Sequence, residues 1–236
     1  MFSVNAQDMG FEALNELIRK TEKGIIIKDC SGQRFLGSGA KGKRIEIYGT
    51  PGNALGAYLD GGEIIVHGNV QDAVGDTMND GKIVVEGGAG DAVGYAMRGG
   101  EIYIKENAGY RVGIHMKAYA DKLPVMVIGG TAGSFLGEYQ AGGVIVVLNK
   151  NNEKKAVGDL CGTGMHGGKI FIRCDELNAE FPPQVHVAEC NEEDIKEILP
   201  YLREYRRLFG TEVVGGKYFV LTPNSSNPYR QLYVEN

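Results

Sequence analysis

Tryptophan is absent from the 236 residues, and prolines (seven), cysteines (four) and histidines (four) are few. The cysteines Cys30, Cys161, Cys174 and Cys190 are scattered, with no Cys-x-x-Cys pair. That spacing argues against an iron–sulfur cluster or structural zinc site. It favours reduced, mostly buried thiols in a cytoplasmic protein. No apolar run approaches the roughly 20 residues a membrane span needs. The first residues, Met-Phe-Ser-Val-Asn-Ala-Gln-Asp, have neither a basic flank nor an apolar stretch, so no secretory signal is expected. A net charge of −5 gives no reason to expect a nucleic-acid partner.

What is abundant is glycine, 36 residues, about twice the usual share. Gly37, Gly56, Gly75, Gly94 and Gly113 follow one another at a fixed period of 19 residues, and the local pattern recurs at Gly137 and Gly162. Self-similarity at such a period marks a solenoid. Each unit carries a Gly-x-x-Gly-x-x-x-Gly run, as at Gly49, Gly52, Gly56 or Gly87, Gly90, Gly94. Three residues after the anchor stands Leu59, Met78, Met97, Met116 or Met165. A short β-branched strand follows, with alternating apolar pairs: Ile45/Ile47, Ile64/Val66, Ile83/Val85, Ile102/Ile104, Met126/Ile128, Ile145/Val147, Ile170/Ile172. Period-two spacing puts each pair on one face.

The unit is too short for two helices with their turns, and glycine costs about 1 kcal/mol against alanine inside a helix. At corners needing positive φ it costs nothing. The expectation is therefore an all-β fold, a right-handed parallel β-helix of about seven turns with rungs roughly 4.8 Å apart, flanked by N- and C-terminal helices. Three parts are read: a helical cap and strand over 1–32, the β-helix over 33–174, and a C-terminal helix with extended tail over 175–236.

Residues 8–22 are expected to form a capping helix, with Asp8 as N-cap and Gly24 as its stop. The middle strand residues Glu46, Ile65, Val84, Tyr103, Val127, Val146 and Phe171 line up as an external, mostly apolar stripe. Either the C-terminal segment or a partner must cover it. Residues 149–158 read as an exposed polar loop. A second helix starts at Asn191-Glu192-Glu193-Asp194 and closes at Gly210, with Pro200 expected to end, kink or restart it. Residues 222–236 read as an extended arm that docks through Tyr229, Leu232 and Tyr233.

The fifth turn breaks the pattern with a five-residue excess at Ala118-Tyr119-Ala120-Asp121-Lys122-Leu123-Pro124, and Arg111 stands where Ala54, Ala73 and Ala92 stand elsewhere. Tyr110, Arg111, His115 and Lys117 thus form a polar cluster on an irregular rung. It reads either as a partner-contact surface, since solenoid insertions often mark one, or as an ordinary bulged loop.

No catalytic constellation is read. His67, His115, His166 and His186 are not coupled to a nucleophile by any spacing. Asp72, Asp76, Asp80 and Asp91 sit at glycine corners without forming persistent carboxylate rows, and corner formation explains them. Gly87-Gly88-Ala89-Gly90 lacks the strand-to-helix context of a dinucleotide loop. No catalytic, cofactor-binding or metal residue is assigned.

The glycine unit resembles the GXGXG β-helix domain at the C-terminal end of the glutamate synthase large subunit. The resemblance is carried by Gly32-Gln33-Arg34-Phe35-Leu36-Gly37, Tyr48-Gly49-Thr50-Pro51-Gly52-Asn53, residues 68–79 and 90–100, and Phe135-Leu136-Gly137-Glu138-Tyr139. It looks like the stand-alone subunit of archaeal-type glutamate synthases. The resemblance implies a non-catalytic scaffold whose partners are a glutaminase and an FMN-binding synthase. FMN and the iron–sulfur cluster would sit in those partners, with a homo-oligomer possible. The glycine-repeat subunit of formylmethanofuran dehydrogenase is similar in the same unit and stands as an alternative. A carbohydrate-active β-helix protein is a third, which would want a signal peptide and a persistent cleft row.

Overall fold

The computed structural model describes residues 2–212 and 215–225. The chain lays down β1 (Phe2–Asn5), α1 (Phe11–Lys20), β2 (Gly24–Ser31), β3 (Lys43–Thr50), β4 (Asp60–His67), β5 (Asp80–Val85) and β6 (Glu101–Ile104). β7 (Val125–Ile128), β8 (Ala141–Val147), β9 (Gly167–Arg173), β10 (Val185–Glu189), α2 (Glu192–Phe209) and β11 (Tyr218–Pro223) follow. From β1 to β9 each strand pairs in parallel with the next, and β11 and then β10 close the sheet antiparallel. This is a parallel β-helix with flanking helices.

Register makes the core. Ile25, Ile45, Ile64, Ile83, Ile102, Met126, Ile145 and Ile170 stack one on the next, as do Ile27, Ile47, Val66, Val85, Ile104, Ile128, Val147 and Ile172. None is more than 1% exposed. Each rung's backbone groups bond the rungs above and below, and the stacked aliphatic side chains fill the space between them. Gln140 replaces methionine in the neighbouring column and is fully buried, its amide donating to the carbonyls of Gly142 and Gly143.

β2 to β9 give eight parallel strands, one more than the glycine spacing predicts. The extra turn has no glycine anchor: the position one period before Gly37 is Ile18, buried on α1. A helix there replaces the glycine corner. α1 is also shorter than expected, since Gly10 and not Asp8 is its N-cap, and Thr21 ends it before Gly24, which opens β2.

The corners explain the glycines. Around Gly56 the backbone enters the left-handed region three times, at Ala54 (φ 61), Gly56 (φ 65) and Tyr58 (φ 58). The Ala54 and Tyr58 amides donate forward to Asp72 and Asp76, while the Gly56 amide donates backward to Leu36. Only the central residue points inward: a Cβ on Gly56 would lie 2.7 Å from Ile83 Cδ1. The flanking residues point outward, which is why Ala, Thr, Tyr, Arg and His all occur there.

From Tyr103 onward the outer apolar stripe is covered by the chain itself, while Ile65 stays half-buried. Tyr103, Val127, Val146 and Phe171 form a second core with Ile198, Leu202 and Tyr205 of α2. The Tyr205 hydroxyl donates to the Lys105 carbonyl at 3.0 Å, and Lys169 and Lys82 pair with Glu197 and Glu204. Asn191 caps α2 in a capping box, and Gly210 ends it with φ 68. Pro200 neither ends nor restarts α2, which is one helix in the structure. Pro200 and Lys196, whose carbonyl the missing N–H would serve, are both exposed to water.

Residues 149–158 are less exposed than expected: Asn149, Ala156 and Val157 are buried, and Val157 bridges to Ala132. Thr222 and Pro223 belong to β11, while Tyr229, Leu232 and Tyr233 lie outside the described residues. No helix among the described residues is long and apolar enough to cross a membrane.

Candidate partner-contact face

Arg111 and His115 flank Gly113 with φ of 55° and 57°, so the corner geometry itself aims both side chains outward on one face. Each is then held by the next turn. Arg111 Nε donates to Glu138 Oε2 at 3.0 Å, and its guanidinium lies over the Phe135 ring at 5.1 Å. His115 stacks on Tyr139 at 5.0 Å with rings 11° apart, and meets Tyr95 edge-on at 5.9 Å. The irregular rung therefore carries a pre-ordered cation and imidazole between aromatic rings.

Tyr110 and Lys117 flank this pair and are exposed. Tyr110 also interrupts a ladder. In its column Asn53 accepts the Asp72 amide, Asp72 accepts that of Asp91, and Asp91 accepts that of Tyr110. Below the interruption Ser134 accepts the Asp159 amide. Asp72 and Asp91 are thus staples between turns, a role beyond the corner formation expected of them.

The cluster extends further than the irregular rung suggests. Phe35, Tyr58, Tyr95, Tyr139 and Leu160 are large apolar side chains left exposed at the same corners. Each falls one or two residues from its anchor glycine, so those offsets hold the signal that the spacing argument passes over. Aromatic residues and arginine are the types enriched in interface cores.

The inserted loop does not extend the cluster. Residues 119 and 122 bridge antiparallel, and Lys122 reaches back to the Asn79 carbonyl and to Asp80, at 3.3 and 3.0 Å. Elsewhere His67 Nδ1 lies 2.9 Å from Glu86 and its ring stacks on Tyr48, a surface pair one turn apart. Cys30, Cys161 and Cys174 are buried, and Cys190 is half-buried. Burial pushes the Cys30 and Cys161 thiols up to about 11 and about 12, away from the thiolate a ligand or nucleophile needs. Among the described residues no three His, Cys, Asp or Glu side chains gather as a metal site.

A family model described as "GXGXG motif" matches residues 18–217. An uncharacterized protein of Methanocaldococcus jannaschii is 43% identical, the match spanning 98% of this chain and 95% of that protein.

Proposed function

This chain belongs to the GXGXG motif family, that of the glutamate synthase alpha-subunit domain, and from that premise we propose that it is a structural and assembly subunit of a glutamate synthase complex. It would scaffold a glutaminase chain and an FMN-binding synthase chain, which carry the flavin, the iron–sulfur cluster and the chemistry. Its own contribution would be rigidity: a continuous ladder that fixes the distance and orientation between two active sites.

One observation carries the reading. From Tyr103 onward the outer sheet face is already filled by α2, whereas the corner face presents Arg111, His115 and a set of exposed aromatic rings on a rigid backbone. Such a face suits protein docking, in which few anchors supply most of the affinity.

Affinity purification of the chain from its native source, with the bound polypeptides identified, tests this. A flavin-bearing synthase chain together with a glutaminase chain is the expected result. Recovery with the other polypeptides of a formylmethanofuran dehydrogenase, or with neither chain, overturns it.

A further inference from the structure

The loop that breaks the repeat forms an open cleft with earlier turns. Tyr58, Asp60, Asn79, Arg98, Tyr119 and Lys122 line a volume of about 420 Å³, within the range of small-molecule sites. Its charges are unevenly paired. Lys41 and Lys122 lie 3.0 and 3.8 Å from Asp60, and Lys122 lies 3.0 Å from Asp80. Arg98 is exposed and has no ion pair or side-chain hydrogen bond among the described residues. Lys41, Lys122 and Arg98 thus stand against Asp60, Asp80 and Asp121, and Arg98 is the lining charge left without an ion pair among the described residues.

The rest of the lining fits an anion with a body. Tyr58, at the edge of the aromatic face, and Tyr119 on the inserted loop leave 55% and 63% of their surface open. Lys122, tethered at once to two acids and the Asn79 carbonyl, fixes the loop that carries Tyr119, so the walls are pre-formed. Arginine's planar fork matches a carboxylate or phosphate in two bonds, and tyrosine rings add contact area at low entropic cost.

We propose that this cleft is a binding site for a small organic oxyanion, a carboxylate or phosphate on a flat body, held by Arg98 and flanked by Tyr58 and Tyr119. The site does not depend on the glutamate synthase reading and would stand if that failed.

Benzoate and phenyl phosphate are the probes, with benzamide as the uncharged match to benzoate, titrated into the ¹⁵N-labelled full chain. Saturable amide shifts confined to residues 58–60, 79–80, 98 and 119–122 are expected from one or both anions, and the tighter one names the head group. Arg98→Gln should weaken binding about tenfold or more with the remaining spectrum intact. Arg203→Gln, removing an exposed arginine of α2 outside the cleft, should change nothing. Equal shifts with benzamide, equal weakening by Arg203→Gln, or no saturable shift with either anion overturns the proposal.

Discussion

Asn15 Oδ1 accepts the Gly37 amide at 3.0 Å. In every later turn that amide bonds a backbone carbonyl of the turn before, as Gly56 does with Leu36 and Gly75 with Leu55, both at 2.8 Å. α1 therefore ends the ladder with a side chain that imitates the missing rung. Asn15→Ala would leave a buried N–H unpaired and should destabilise by about 1–3 kcal/mol. Asn15→Asp keeps the acceptor but loses the Nδ2 donation to the Phe11 carbonyl at 3.0 Å, and should recover only part of the loss. Urea midpoints of the two variants check this.

Gly56 and Gly39 separate two costs that corners usually mix. Both have positive φ, 65° and 64°, but a Cβ on Gly39 meets open space while one on Gly56 meets Ile83 at 2.7 Å. Gly39→Ala should cost only the backbone strain, about 1–2 kcal/mol. Gly56→Ala should add overpacking of about 1–3 kcal/mol. Equal thermal shifts for the two would refute the inward placement of the anchor column.

Glu204 lies between Arg207 and Lys82, and the hydrogen bond from Arg207, then that from Lys82, lowers its carboxyl from 4.5 to about 2. The unfolded chain takes up this proton at higher pH than the folded one. The stabilisation is thus present in full above the ordinary value and drains as pH falls from 4.5 toward 2. Glu204→Gln should lower stability near neutral pH, and its gap from the parent protein should close over that window. Denaturant midpoints across the acid range measure it.

Arg111 and His115 should matter for docking more than for folding. Ala54, Ala73, Ala92 and Ala96 already occupy their columns with positive φ, so alanine fits there. The double variant Arg111→Ala with His115→Ala should stay folded but lose about 1–3 kcal/mol by thermal melting, because the nearly buried Glu138 carboxylate loses its ion pair.

The stacked core is legible because two signals coincide in each turn: an inward glycine at the corner and a period-two aliphatic pair in the strand. Where one signal is missing, the pattern falls short of the fold. Ile18 holds the anchor place of the first turn on a helix, so the glycine period passes over that turn. The antiparallel pair of β10 and β11, joined through α2, carries no glycine period at all. Pro200 reads as a breaker in isolation, but Ile198, Leu202 and Tyr205 dock α2 on Tyr103, Val146 and Phe171, and tertiary burial outweighs one lost hydrogen bond. The stripe leaves two covers open, and the choice of α2 depends on the chain's path after Cys174. At the candidate face Arg111 stands out because it departs from alanine, while Tyr95 and Tyr139 lie at offsets that show only once the corners are known to turn those residues outward.

The scaffold account is tested most directly by the affinity of the purified synthase and glutaminase chains for this subunit, with the parent protein and the Arg111→Ala/His115→Ala variant compared by calorimetry. A three-chain complex with the parent, and binding weakened by about 2 kcal/mol or more in the variant, is the predicted result. No binding of either chain to the parent protein, or equal affinity for the variant, would contradict it.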